Sequence, residues 1–147
     1  MSRCQLPAGI QLPIPPQHSI PLGDDTFCVV SKFQGSVYVQ IRVYGKNLIK
    51  YYPTGKGVSF KKTEFAEFIE NAESHKAAAI SADESKLLFL NNTIAVSLLW
   101  GEENGNQITF LKGSEMAKCI SLSTDQFVRL CDGAGDIKQY IQYHEDI

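Results

Sequence analysis

Nine residues, 36–44, constrain the fold more than any other stretch of the chain. In SVYVQIRVY, Val37, Val39, Ile41 and Val43 alternate with Tyr38, Gln40, Arg42 and Tyr44. Successive side chains of a strand point to opposite faces, so this period of two puts aliphatics on one side and rings, amide and guanidinium on the other. The aliphatic face requires a core beneath it, and the other face meets solvent or a ligand. A strand of this kind also needs partner strands, because an isolated ribbon is marginal in water.

The flanking residues supply those partners. Residues 26–32 read as a first strand, Gln34-Gly35 as a turn, and Gly45-Lys46-Asn47 as a hairpin turn. Residues 48–52 form a further strand, Pro53-Thr54-Gly55 turns the chain again, and residues 56–60 make a short fourth strand. A helix is expected over 62–72, with Phe65, Phe68, Ile69 and Ala72 as its buried stripe and Glu64, Glu67, Glu70 and Glu73 on its wet side. This unit reads ββββα. Residues 76–85 read as a polar, Ala-containing connector or a continuation of the helix.

A second unit follows the same plan. Residues 87–90, 93–100 and 107–112 read as strands, and 118–122 leads into a helix after Ser123, whose spacing to Gln126 fits a capping box. Lys56-Gly57-Val58-Ser59-Phe60 matches Lys118-Cys119-Ile120-Ser121-Leu122, and at the same offsets Phe65 matches Phe127 and Phe68 matches Leu130. Gly133-Ala134-Gly135 is expected to end that helix, and residues 137–147 to add a turn of helix or a tail. The fold class is α+β. The expected division is a Pro-rich arm (1–25), a first unit (26–75), the connector (76–85), a diverged second unit (86–140) and a tail (141–147).

Charge singles out the first unit. Residues 26–63 hold six lysines, one arginine and no Asp or Glu, in a chain whose formal net charge is -2. The same run holds seven aromatics. Cations interleaved with rings suit a single-stranded nucleic acid, whose phosphates attract the charge and whose bases stack on the rings. Residues 1–75 carry a net +2 and residues 76–147 a net -4, so the basic character is confined to one part of the molecule.

Other functions find little support. The four cysteines, Cys4, Cys28, Cys119 and Cys131, show no CxxC spacing and fit a reducing compartment, with Cys28 and Cys131 as small core residues. His18, His75 and His144 stand apart, in arm, connector and tail. No nucleotide loop, nucleophile elbow or metalloprotease motif appears. The expectation is a protein with no cofactor, metal or catalytic residue. No apolar run approaches the roughly 20 residues of a membrane span, so an intracellular place, nucleus or cytoplasm, is expected.

Residues 28–73 resemble the positive cofactor four family of single-stranded-DNA-binding transcription coactivators. The resemblance lies in VVSKFQGSVYVQIRVY at 29–44 and YPTGKGVSF at 52–60, followed by the helix. The family pattern is a Phe-Lys-Gly-Lys turn, a strand ending Ile-Arg-x-Tyr, then Pro-Gly-x-Lys-Gly-Ile-Ser-Leu and a helix with a buried aromatic. The resemblance implies a curved four-stranded sheet backed by a helix, with two units paired and each curved face a channel for a single strand. It implies that Phe33 stacks on bases and that Arg42 and Lys56 contact phosphates. Lys32, Tyr38, Tyr44, Lys46 and Lys50 join the candidate site from charge and strand alternation.

This chain departs from the pattern at Gln34 and Ser36, where the family has turn lysines. With Trp100 set opposite Gly45, Ser97 stands where Arg42 does and Leu88 where Phe33 does, so the second face is expected to bind weakly or not at all. The two units together would form a single-chain pseudo-dimer. The expected ligands are single-stranded DNA first, then RNA or melted duplex. The alternative is a protein-interaction or structural module, with the Pro-rich arm or the acidic second unit holding a protein partner. Open sheet edges leave room for a homodimer or higher oligomer.

Overall fold

The computed structural model describes residues 12–103, 105–113 and 118–147. Residues 1–11 of the expected arm, with Cys4 and Ile10, and residues 114–117 of the loop expected before the last strand lie outside the described residues. Two four-stranded antiparallel sheets form, each followed by two helices. The first half runs β1 (Ser19–Gly23), β2 (Thr26–Phe33), β3 (Ser36–Lys46), β4 (Tyr51–Lys61), α1 (Lys62–Glu70) and α2 (Ala72–Ile80). The second runs β5 (Lys86–Leu90), β6 (Ile94–Leu99), β7 (Gln107–Lys112), β8 (Cys119–Ser123), α3 (Thr124–Asp132) and α4 (Ala134–Glu145). Within each sheet the strands lie in chain order. The α+β class with two ββββα units is thus observed, each unit carrying one helix more than expected.

Two strand assignments differ from expectation. The first strand of the sheet is β1, inside the segment read as an arm, and it pairs with β2 through Ser19↔Val29, Ile20↔Cys28 and Pro21↔Phe27. Its proline sits on an edge strand, where a missing ladder donor is tolerated. Conversely, the spans 48–52 and 56–60 are not two strands. Pro53-Thr54-Gly55 is absorbed into one long β4, and the ladder with β3 shifts register between Arg42 and Tyr44 instead of turning. The turn at Gln34-Gly35 is as expected; both residues have positive φ, 49° and 82°, as a tight two-residue hairpin requires.

The core belongs to both halves. Val39, Ile41, Val58 and Phe60 from the first sheet join Val96, Ile108, Phe110 and Leu122 from the second in one buried cluster with α1, α3 and Ile137 of α4. Phe68 of α1 stands at its centre, with ring centroids 5.1 Å from Phe65, 5.4 Å from Phe110, 5.8 Å from Phe89 and 5.9 Å from Phe127. The helices also cross between halves. α4 packs on β2 and β3, α3 on β1 as well as β7 and β8, and α2 on β5 and α3. Lys62 pairs with Glu145, Lys138 with Glu70 at 3.2 Å and Lys76 with Asp132 at 2.6 Å, each joining a first-half helix to a second-half helix.

The expected caps and stripes explain the helices. Ser123 accepts from the Gln126 backbone N–H at 3.2 Å, and the Gln126 side chain accepts in return from Ser123 N–H at 2.9 Å. Gly133 ends α3, and the chain turns straight into α4, so the last residues are helical and form three turns where one was expected. Of the two readings of the connector, the helical one holds up to Ile80. His75 lies there in the core, its ring stacked on Phe68 at 5.0 Å and its Nε2 atom buried with no hydrogen-bond partner. No helix among the described residues is long and apolar enough to cross a membrane.

Candidate nucleic-acid interface

The face of the first sheet turned away from the helices carries the chemistry. Val37, Val39 and Ile41 of β3 are buried in the core, which leaves Tyr38, Gln40 and Arg42 on the opposite side. Residues directly opposite on neighbouring strands share a face. Arg42 therefore lies between Phe27 and Gly57, Gln40 between Val29 and Ser59, and Tyr38 between Ser31 and Lys61.

Arg42 is held from three sides. Its Nε donates to Gln40 Oε1 at 3.1 Å, Nη1 to the Thr54 carbonyl at 2.8 Å and Nη2 to Ser59 Oγ at 3.3 Å. Gln40 Nε2 in turn donates to Ser31 Oγ at 3.3 Å. All these side-chain partners are neutral. A guanidinium has five N–H donors in one plane, so this network fixes its orientation and leaves two donors for an anion. The strand opposite makes room: a Cβ on Gly57 would lie 2.5 Å from the Ile41 carbonyl oxygen, so only glycine lets β4 approach β3 here.

Beside Arg42 the face is aromatic and closed. Phe27, Val29 and Tyr44 are buried together, with Tyr51 against them. Phe27 meets Tyr44 at 5.4 Å and Tyr51 at 4.9 Å, both edge-on. Tyr44, expected to face solvent as a stacking ring, is only 8 % exposed. Its burial pushes the phenol pKa up, and the neighbouring Arg42 charge draws it partly back. Tyr44 keeps the face of Arg42 and Phe27, where the Phe27 ring and the Tyr51 side chain cover it; the extra residues of the irregularity lie on β4, which pairs Gly57 with Arg42 and Pro53 with Tyr44.

The remaining candidates spread out. Phe33 is 63 % exposed at the tip of β2, on the same face as Ser31 and Val29. Tyr38 is half-buried on that face. Lys32 alternates to the helix side, where its ammonium donates to the main-chain oxygens of His144 at 3.2 Å and Ile147 at 2.8 Å. There it caps the end of α4 and stands off the Arg42 face. Lys46 pairs with Asp25 at 3.3 Å and lies 5.8 Å from the Tyr51 ring centre. Lys50 is exposed in the loop before β4, where Ile14 bridges to it. Lys56 is exposed on β4 and borders a groove that also reaches Arg42.

Sequence reading missed three contributors. Lys61 stands opposite Tyr38, and Ser59 and Thr54 hold Arg42. All three follow from treating 51–61 as one strand in register with β3, a signal hidden by Pro53 and Gly55. The histidines stand apart in sequence, yet His18 Nδ1 lies 3.0 Å from His144 Nε2, and His18 packs on Tyr140 and Tyr143. This contact fixes α4 against the segment before β1. Cys28 and Cys131 are buried, and burial pushes both thiols up to about 12, as core residues rather than nucleophiles would show.

The second sheet lacks the central cation. Gly57 faces Arg42 across β4 and β3, and in the second half Cys119 faces Leu111 across β8 and β7. Leu111, not Ser97, therefore occupies the place of Arg42. Ser97, Thr109 and Ser121 instead form a row of hydroxyls across β6, β7 and β8, with Thr109 and Ser121 2.8 Å apart.

This geometry can be set beside known families. Residues 20–71 match the family model described as Transcriptional Coactivator p15 (PC4). The match runs from within β1 to just past α1, so it covers the first sheet, the Arg42 face and the helix behind it. It bears out the resemblance read from VVSKFQGSVYVQIRVY and YPTGKGVSF. No curated protein and no solved structure matches the chain.

Proposed function

We propose that the protein is a non-catalytic, coactivator-type binder of single-stranded nucleic acid, DNA before RNA, acting through the outer face of its first sheet. The observation that carries this reading is the oriented Arg42 guanidinium, with two N–H donors to spare and no carboxylate among its bonded partners. Lys56 and Lys61 add charge on either side of it, and Phe33 and Tyr38 offer rings at the rim. The match of residues 20–71 to a coactivator family supports the same reading. Tyr44 takes a different role from the one expected: it forms the rigid floor that holds Arg42 in place. Lys32 contributes to the seat of α4.

On this reading the two halves are a duplication, the first unit binding and the second completing a pseudo-dimer in one chain. The division into arm, first unit, connector, diverged second unit and tail is part of the proposal, amended so that residues 19–23 belong to the first sheet. The shared offsets of Phe60, Phe65 and Phe68 with Leu122, Phe127 and Leu130, all buried, support it. The exposed apolar residues Leu87, Leu99 and Trp100 on the second half favour a second role there, as a surface for a protein partner.

The test is fluorescence anisotropy of a labelled 20-nucleotide single strand beside the same sequence as duplex, at two salt concentrations. Preference for the single strand, with affinity falling as salt rises, is expected. Phe33→Ala should weaken binding roughly 5- to 150-fold, the value of one base stack. Absence of binding at low salt, or equal binding of the duplex, would overturn the proposal.

A further inference from the structure

The seam between the two sheets holds a feature that the first sheet alone does not explain. β4 lies against β8, and between them runs a groove of about 660 Å³. Arg42, Lys56 and Ser59 line it from the first half and Lys112, Lys118 and Ser121 from the second. Four cationic side chains thus border one groove, and no Asp or Glu is among the described residues that line it. The groove has room for roughly twenty water volumes, enough for a phosphate and its sugar.

The register explains why the cations converge. Lys56 and Lys118 occupy equivalent places, each four residues before the buried apolar residue that precedes its strand's last position, Phe60 and Leu122. Since β4 meets β8, the two equivalent lysines approach the seam from opposite sides. Lys112 is brought there by the β7–β8 hairpin, where its backbone N–H donates to the Lys118 carbonyl at 3.1 Å. Glu102 and Glu103 lie in the β6–β7 turn and do not line the groove. A concavity bordered by cationic side chains attracts a polyanion.

We infer that Lys112 and Lys118 complete a phosphate-binding groove with Arg42 and Lys56, so that a single strand lying on the first sheet continues across the seam. The inference rests on the function proposed above and extends it: the second half, without a guanidinium of its own on its face, is part of the site. Ser59 and Ser121 supply hydroxyl donors on the two walls. Such contacts set affinity and register and carry no base specificity.

The experiment is a salt series of single-strand binding by anisotropy with the full chain, the Lys112→Ala/Lys118→Ala double variant and a Lys86→Ala/Lys138→Ala control that removes the same charge elsewhere. Thermal melting verifies that all three fold. For single strands each phosphate neutralised contributes about 0.7 to the slope of log affinity against log salt, so loss of two contacts should flatten it by about 1.4. Low-salt affinity should fall about ten-fold or more, with the control close to the parent protein. A double variant that keeps the parent slope and affinity overturns the seam site while leaving the first-sheet reading intact. An equal loss in the control also overturns it, by showing a bulk charge effect. If the parent chain binds no single strand at low salt, both proposals fall together.

Discussion

Truncating Phe68 to alanine tests whether the two halves are one cooperative body. Phe68 is 1 % exposed and touches Phe65 and His75 of its own half and Phe89, Phe110 and Phe127 of the other. Removing a fully buried phenyl ring costs about 3–5 kcal/mol through lost transfer energy and the cavity left behind. The upper part of that range is expected, because five ring neighbours converge and cannot all collapse inward. A domain of this size has a stability of about 5–15 kcal/mol, so the variant should lose between about a fifth and all of it. At 2–4 °C per kcal/mol the melting temperature should drop by roughly 6–20 °C. Urea unfolding followed by both circular dichroism and Trp100 fluorescence is the assay. Trp100 lies in the second half, so a first-half mutation should shift its transition together with the overall one. Two separated transitions, or a loss under about 1.5 kcal/mol, would refute the shared core.

Two further perturbations probe the site and the core. Arg42→Lys keeps the charge but loses the planar fork held by Gln40, Thr54 and Ser59; single-strand affinity should fall about ten-fold or more while the salt slope stays near the parent value, and an unchanged affinity in the anisotropy titration would show that only charge matters. Burial holds the His75 imidazole below its ordinary value of about 6.5, so its contribution to stability is complete above that pH and is lost as pH falls toward the lowered folded value; the urea midpoint should drop between pH 7.5 and 5.5 more in the parent than in His75→Phe, and equal drops would place the pH sensitivity elsewhere.

The histidine shows where sequence reasoning loses its grip. Nothing in AESHKAAAI distinguishes a helix that buries His75 from a polar connector, because its apolar positions are mostly alanines that give no strong stripe. Only the aromatic wall formed by Phe68 and Phe89, residues seven before and fourteen after it, makes the position a core site. Lys32 and Tyr44 mislead in the opposite way. Both belong to a basic aromatic run, but strand parity turns Lys32 to the helix side, and Tyr44, on the Arg42 face as its own parity requires, is covered by Phe27 and Tyr51. Whether a ring on a given face stays open to solvent depends on what packs beside it from neighbouring strands, and the sequence does not announce it.

What the sequence determines by itself is everything with a short period. The alternation of residues 37–43 specifies a half-buried strand, the Phe65, Phe68 and Ile69 spacing specifies a helix with one buried stripe, and Ser123 with Gln126 specifies where α3 begins. These features depend on backbone geometry over a few residues, so they survive without knowledge of the rest of the chain. The tertiary structure decides what lies far apart in sequence. It places α3 and α4 under the first sheet, ties His18 to His144, and brings Lys112 and Lys118 to the groove beside Arg42 and Lys56. Those contacts join residues up to 126 positions apart. They arise because each half has an apolar face too large to bury alone, and burying the two faces in one core sets the charged edges of β4 and β8 side by side.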